Sequence, residues 1–237
     1  MKIVKTYNQI VNESELDRGH VHLLTDEQVE WCNNHIFYNK WKVNSDGEVY
    51  TDRSNITICN SPDHFKVKFA DCDRFSNRMN SKLKSLEGSP NKVNIDFDIS
   101  HCTSLTSLNG GPRYVGSRYE ATNTGILNLE GLAEQVGQLV DVAFSKITSV
   151  EGCSNNITIL TLEGCDRLVN LKGISNNLDF LNLCLCRSLT SLEGLNKDFS
   201  GDIEIYKCGL PKEELIYNWQ NDITQDDVDQ FKQDWEI

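Results

Sequence analysis

Six glycines recur at a nearly constant pitch along this chain of 237 residues: Gly88, Gly110, Gly131, Gly152, Gly173 and Gly194, with spacings of 22, 21, 21, 21 and 21. Each closes a phrase of the form apolar-x-x-apolar-x-Gly. The phrases read LKSLEG from Leu83, LTSLNG from Leu105, ILNLEG from Ile126, ITSVEG from Ile147, LVNLKG from Leu168 and LTSLEG from Leu189. A fixed period of this length points to stacked coils, because one supersecondary unit repeated along the chain cannot bury its apolar face alone. The glycine supplies the tight return of each coil.

Between these phrases runs a second element with strand character. Its clearest copies are ITILTLEGC from Ile157 and LDFLNLCLC from Leu178. Weaker copies end at Cys102, Thr124, Ser145 and Cys208, and a degenerate one, VKFADC, ends at Cys72. The spacing apolar-x-x-apolar-x-apolar-x-x-Cys resembles the signature of leucine-rich repeat proteins, and the resemblance covers residues 64–210. It implies an α/β solenoid, a leucine-rich repeat horseshoe with a parallel sheet on its concave face. Seven strands at about 4.8 Å would span roughly 30 Å. It also implies that Cys72, Cys102, Cys165, Cys186 and Cys208 form a structural ladder, bonding backbone groups inside the turn, with Thr124 and Ser145 filling the gaps. On that placement the interval from Cys72 to Cys102 is 30, so residues 73–82 read as an insertion. A metal or redox role is the competing reading for the close pair Cys184 and Cys186.

A solenoid exposes an apolar end unless a cap covers it. Residues 1–24 read as an N-terminal arm or leader and residues 25–63 as a cap. In that cap Thr25-Asp26-Glu27-Gln28 has the form of a capping box opening a helix. WKVNSDGEVYT then has two alternating runs about Asp46-Gly47, a hairpin signal, and Ile56 to Ile58 extend a strand towards the first coil. Residues 211–237 read as a C-terminal helical cap opening at Pro211. Trp31 and Trp41 anchor one end, and Trp219, Phe231 and Trp235 the other.

Charge and motifs narrow the function. The 35 acidic and 23 basic residues leave a net charge of −12. Such a surface repels a nucleic-acid backbone and an anionic membrane, so neither is an expected partner. No run of eighteen apolar residues and no secretory leader is present, which reads as a host-cytoplasmic protein. The nine cysteines include no CxxC pair, and nucleophile elbows, phosphate-binding glycine loops and HExxH are missing. The expectation is therefore no enzyme, no cofactor and no metal site. His20 and His22 could share a strand face as ligands, or sit in a solvated loop.

The leucine-rich repeat register assigns three columns of outward residues. The central column reads Lys68, Asp98, Glu120, Asp141, Thr161, Asn182 and Glu204; the preceding one reads Lys66, Asp96, Arg118, Leu139, Ile159, Phe180 and Asp202. The third runs Ala70, Ser100, Thr122, Ala143, Glu163, Cys184 and Tyr206. Leu139, Ile159, Phe180 and Tyr206, rimmed by Asp98, Glu120, Asp141 and Glu204, make a candidate protein-binding patch. The alternative is that a terminal segment of the chain covers it.

More narrowly, TDEQVEWCNNHI with WKVNSDGEV, then SLEGSPNKV at Ser85, SLNGGPRYV at Ser107 and LPKEEL at Leu210, resemble leucine-rich repeat proteins of tailed phages. That resemblance carries no activity to transfer. MKIVKTYNQIVNE is similar to capsid-targeting leaders trimmed after a glutamate, here Glu13; a frayed N-terminal helix is the other reading. The expected partner is thus a host protein or a virion subunit.

Overall fold

A computed structural model describes residues 17–52 and 54–211. The leader at Glu13 and all of the C-terminal cap beyond Pro211 lie outside the described residues.

The chain forms a parallel-sheet β-solenoid of about seven turns with little helix. At its N-terminal end, helix α1 (Asp26–His35) opens on the expected capping box: Thr25 accepts from the Gln28 amide at 3.3 Å, and the Gln28 side chain accepts from the Thr25 amide at 2.9 Å. Strands β1 (Trp41–Val43) and β2 (Val49–Thr51) pair antiparallel across Gly47, whose φ of 78° suits the turn. Trp31 and Trp41 are buried, Trp31 with its ring 6.2 Å from those of Phe65 and Phe69.

The main sheet begins with β3 (Asn55–Thr57), inside the region read as cap. It continues through β4 (Cys72–Ser76), β5 (Lys92–Asp98), β7 (Arg118–Glu120), β9 (Leu139–Asp141), β10 (Ile159–Thr161), β11 (Phe180–Asn182) and β12 (Asp202–Glu204), all parallel. The short strands β6 (Tyr114–Val115) and β8 (Gln135–Val136) extend the ladder beside β5.

From β3 to β11 one column of inward residues, Ile56, Phe75, Phe97, Tyr119, Val140, Leu160 and Leu181, stacks down the core, all within 1% of full burial. After Ile56 the column is aromatic, with Phe75 and Phe97 stacked at 5.4 Å and Tyr119 5.0 Å beyond, then aliphatic. Both apolar positions of the glycine phrases face it from the other side, as Leu105 with Leu108 and Leu168 with Leu171 illustrate. Burying one such side chain contributes about 1.5–3 kcal/mol, so a few per coil offset the ordering cost of a short repeat. The phrase glycines carry φ between 84° and 109°. At Gly152 a Cβ would fall on the Glu130 amide of the coil before, so the position demands glycine for both its conformation and its lack of space.

The first coil corrects the sequence reading. Cys72 pairs with Val93 and Phe75 with Phe97, so VKFADC is not the strand of that coil; CDRFS is. Residues 73–82 are no insertion, because Asn80, five residues after Phe75, stands where Cys102 stands five after Phe97, an interval of 22. Cys72 therefore leaves the ladder and Asn80 takes its place. Lys66 and Lys68 leave the outward columns: Arg74 and Ser76 hold their places, while Lys66 pairs with Glu27 and Lys68 with Glu48 in the cap. Ala70 likewise yields to Arg78, two residues beyond Ser76 along the chain.

Candidate interaction face of the sheet

The outward residues of each strand flank the inward one. Pairing places Asp96, Arg118, Leu139, Ile159, Phe180 and Asp202 in one row across the sheet, and Asp98, Glu120, Asp141, Thr161, Asn182 and Glu204 in the next. Leu139, Ile159 and Phe180 are consequently direct neighbours, each half-buried. Strand spacing makes this apolar stripe roughly 10 Å long. Tyr206 is 45% exposed, with the Lys207 ammonium 4.9 Å from its ring centroid, and Cys184, two residues past the end of β11, is half-buried.

The carboxylates divide into engaged and open groups. Asp98 is only 8% exposed; it accepts from the Ser100 amide at 3.0 Å and meets the Arg78 Nε at 3.1 Å. It is thus a structural anion within the sheet and cannot serve the rim as expected. Asp96 pairs with Arg74, and Glu120 lies 3.7 Å from Arg118. Asp141 accepts from the Ala143 amide at 3.0 Å, a bond repeated where Asn182 accepts from the Cys184 amide at 2.8 Å. Burial lifts the Asp141 carboxyl above its ordinary value, against the opposing pull of that amide. Glu120 is lifted too, by burial first and then by the nearby Asp98 charge, with Arg118 opposing. Glu204 is exposed at the last described strand.

The strand ends reveal a feature that residue types alone do not signal. Four residues beyond each inward core position the backbone turns left-handed: Asn60, Met79, His101, Asn123, Phe144, Gly164, Leu185 and Lys207 have φ between 52° and 65°. Seven of these eight are not glycine, a conformation that costs roughly 1–2 kcal/mol each for an ordinary residue. Amides from Met79 to Leu185 donate to the next coil at 2.6–2.8 Å, which holds the turn in place. The turn puts Met79 (70% exposed) and Phe144 (53% exposed) at the rim, with the Phe144 ring leaning over Gly164. Asn60, His101, Asn123 and Gly164 are types that favour positive φ, but Met79, Phe144, Leu185 and Lys207 are not, so only the repeat spacing could have shown the whole row.

The ladder beneath this turn is a hydrogen-bonding device. Cys102, Cys165 and Cys186 donate Sγ–H to the carbonyls of Asn77, Val142 and Leu162 in the coil before, at 3.1, 3.5 and 3.0 Å. Ser145 does the same to Ala121 at 3.1 Å and meets the Thr124 hydroxyl at 2.9 Å. Asn80 bonds the Pro62 carbonyl at 2.7 Å. Cys208 is buried at the last position. Burial raises the thiols of Cys102, Cys165 and Cys186 to about 12, so they stay protonated as donors require. All nine cysteines are free.

Among the described residues no group of three or more His, Cys, Asp or Glu is placed to hold a metal ion, and no helix is long and apolar enough to cross a membrane. His20 and His22 lie at a short 3-10 turn, not on a strand, with ring centroids 5.7 Å apart. A cleft of about 430 Å³ opens beside β3, lined by Phe37, Tyr38, Lys40, Asp52, Asn55 and Thr57. Its Asp52 is already paired with Lys42 at 2.9 Å.

No family model matches the chain, and no curated protein or solved structure matches it either.

Proposed function

We propose that this chain is a non-enzymatic leucine-rich repeat module, phage-encoded, whose sheet is the concave face of a horseshoe and binds a host protein in the host cytoplasm. One observation carries the binding assignment: Leu139, Ile159 and Phe180 stand side by side on the outward face of three consecutive strands and remain half-exposed. An apolar row kept at a solvent-facing position contributes little to folding, whereas a partner that covers it gains its burial. The ladder of Asn, Cys, Thr and Ser beneath the turns supports the leucine-rich repeat assignment, as do the SLEGSPNKV and SLNGGPRYV blocks. The leader-like segment ending at Glu13 favours a second reading, a head-packaged virion protein bound to a capsid or tail subunit.

Site-specific photocrosslinking tests this function. A benzoylphenylalanine at position 180 is expected to join one partner polypeptide in infected-cell extract or in particles. The same group at Val169, exposed in the opposite wall of the coil, is expected to join none. Equal crosslinking from both positions, or none from 180, contradicts the assignment. Recovery only from particles, on chains beginning near Ser14, selects the virion reading.

A further inference from the structure

The charges of the sheet face are arranged in two unequal halves. In the first three full coils each acidic residue of the two rows has a guanidinium: Arg74 with Asp96, Arg78 with Asp98, Arg118 with Glu120. From β9 onward the outward positions of the strands hold no Lys or Arg, yet they hold Asp141, Glu163, Asp202 and Glu204. None of these four forms an ion pair among the described residues. Lys207 sits at the rim over the ring of Tyr206.

The same half carries the apolar groups, and it carries them on both sides of the acids. Leu139, Ile159 and Phe180 form one rail; Phe144 and Leu185 of the left-handed row, with Tyr206 one position before that row in the last coil, stand along the other side at the strand ends. Four residues of extended chain advance roughly 13 Å at most, which bounds the distance from the Leu139 row to the strand ends. Asp141, Thr161, Asn182 and Glu204 fill the line between, with Glu163 beside Phe144's turn. Apolar walls around unpaired carboxylates match a side chain that is apolar along its stem and cationic at its tip. Arginine fits best, because its guanidinium is weakly hydrated and bonds carboxylates in a fork.

Resting on the binding function proposed above, we propose that the partner segment seated on β9 to β12 is cationic: an arginine-rich stretch of another protein with one aromatic or two aliphatic anchors. The stems of its basic residues lie along the two rails, their heads on Asp141, Glu163 and Glu204, and the anchor covers Ile159 and Phe180. Burial raises the Asp141 carboxyl, and a guanidinium seated beside it would favour its ionised form.

Fluorescence anisotropy with defined peptides tests it on the full chain. The probe is a short fluorescein-labelled peptide of arginines spaced by glycine and serine around a central phenylalanine. Its companions replace every arginine by glutamate, or the phenylalanine by glycine. The arginine–phenylalanine peptide is expected to bind, to weaken with salt, and to lose about tenfold or more in affinity to the double variant Asp141→Asn/Glu163→Gln. Phe180→Ser is expected to weaken it as well, and by more than it weakens the phenylalanine-free peptide. The control variant Glu87→Gln/Glu130→Gln removes as much charge from the outer return and is expected to change nothing. Equal losses in control and test variants overturn the proposal, since attraction to an acidic protein would account for them. Binding of the glutamate peptide instead, lost in Phe180→Ser, overturns the cationic partner and leaves the sheet-face function standing. No binding of any peptide overturns the proposal, and crosslinking at position 180 then reports separately on the function it rests on.

Discussion

Position 141 shows how one residue can serve both structure and surface. Its carboxylate accepts from the Ala143 amide, and burial holds its proton more tightly than in the unfolded chain. A raised folded-state value means that the associated stability is fully present below the ordinary aspartate range, about pH 3.9, and is lost as pH rises through the folded value. Ionised Asp141 therefore opposes folding at neutral pH. Asparagine keeps the accepting oxygen, as Asn182 does two coils away. Asp141→Asn is expected to raise the melting temperature at pH 7, with the gain fading as the buffer approaches pH 4. Melting curves over that range check it, and a gain independent of pH, or none at pH 7, contradicts the linkage. Asp98 makes the opposite point. By sequence it is equivalent to Glu120 and Asp141, and the pairing keeps it in their row, yet its burial beside Arg78 takes it out of the proposed rim. Burial depends on which neighbour leans over a residue, and a repeat pattern does not encode that.

At the scale of the coil, two glycines with positive φ differ in kind. Gly152 belongs to the phrase ladder, where a Cβ would strike the backbone of Glu130. Gly164 belongs to the left-handed row, whose neighbours are Phe144 and Leu185, and the atoms nearest a Cβ there are those of the Phe144 ring. Backbone cannot yield as a side chain can. Gly164→Ala is expected to cost about 1–2 kcal/mol, the left-handed conformation itself, and Gly152→Ala about 3 kcal/mol or more, because the backbone clash adds to it. Urea titration of both variants decides it, and equal losses refute the distinction. The phrase ladder was legible because glycine at a fixed pitch marks a backbone turn repeated once per coil. Later coils were legible because each strand keeps aliphatic residues at both inward positions, and their outward columns fell in the right register. The first coil misleads for a definite reason. Val67, Phe69 and Cys72 imitate the strand pattern, while the true strand hides Phe75 between Arg74 and Ser76 and ends its ladder on Asn80. The left-handed row stayed invisible because hydrogen bonds to the next coil, not residue type, hold it.

Across the whole molecule, each coil touches chiefly its neighbours, so the sheet can vary its outer face without disturbing the core. The inward column is continuous from Ile56 to Leu181, while the outward one changes from paired charges to an apolar row edged by open carboxylates. That division between a constant inner packing and a variable outer face organises the molecule. Phe180 and Leu181 put it to the test as adjacent residues of β11 with opposite directions, one half-exposed and one fully buried. The decisive measurement is thermal melting of Phe180→Asp beside Leu181→Asp, with partner crosslinking from position 159 in each. Phe180→Asp is expected to melt within a few degrees of the parent and to lose the partner. Leu181→Asp is expected to lose its folded transition, since an unpaired charge enters a close-packed core. Unfolding of Phe180→Asp, or a native melting curve for Leu181→Asp, would contradict the register and the binding face together.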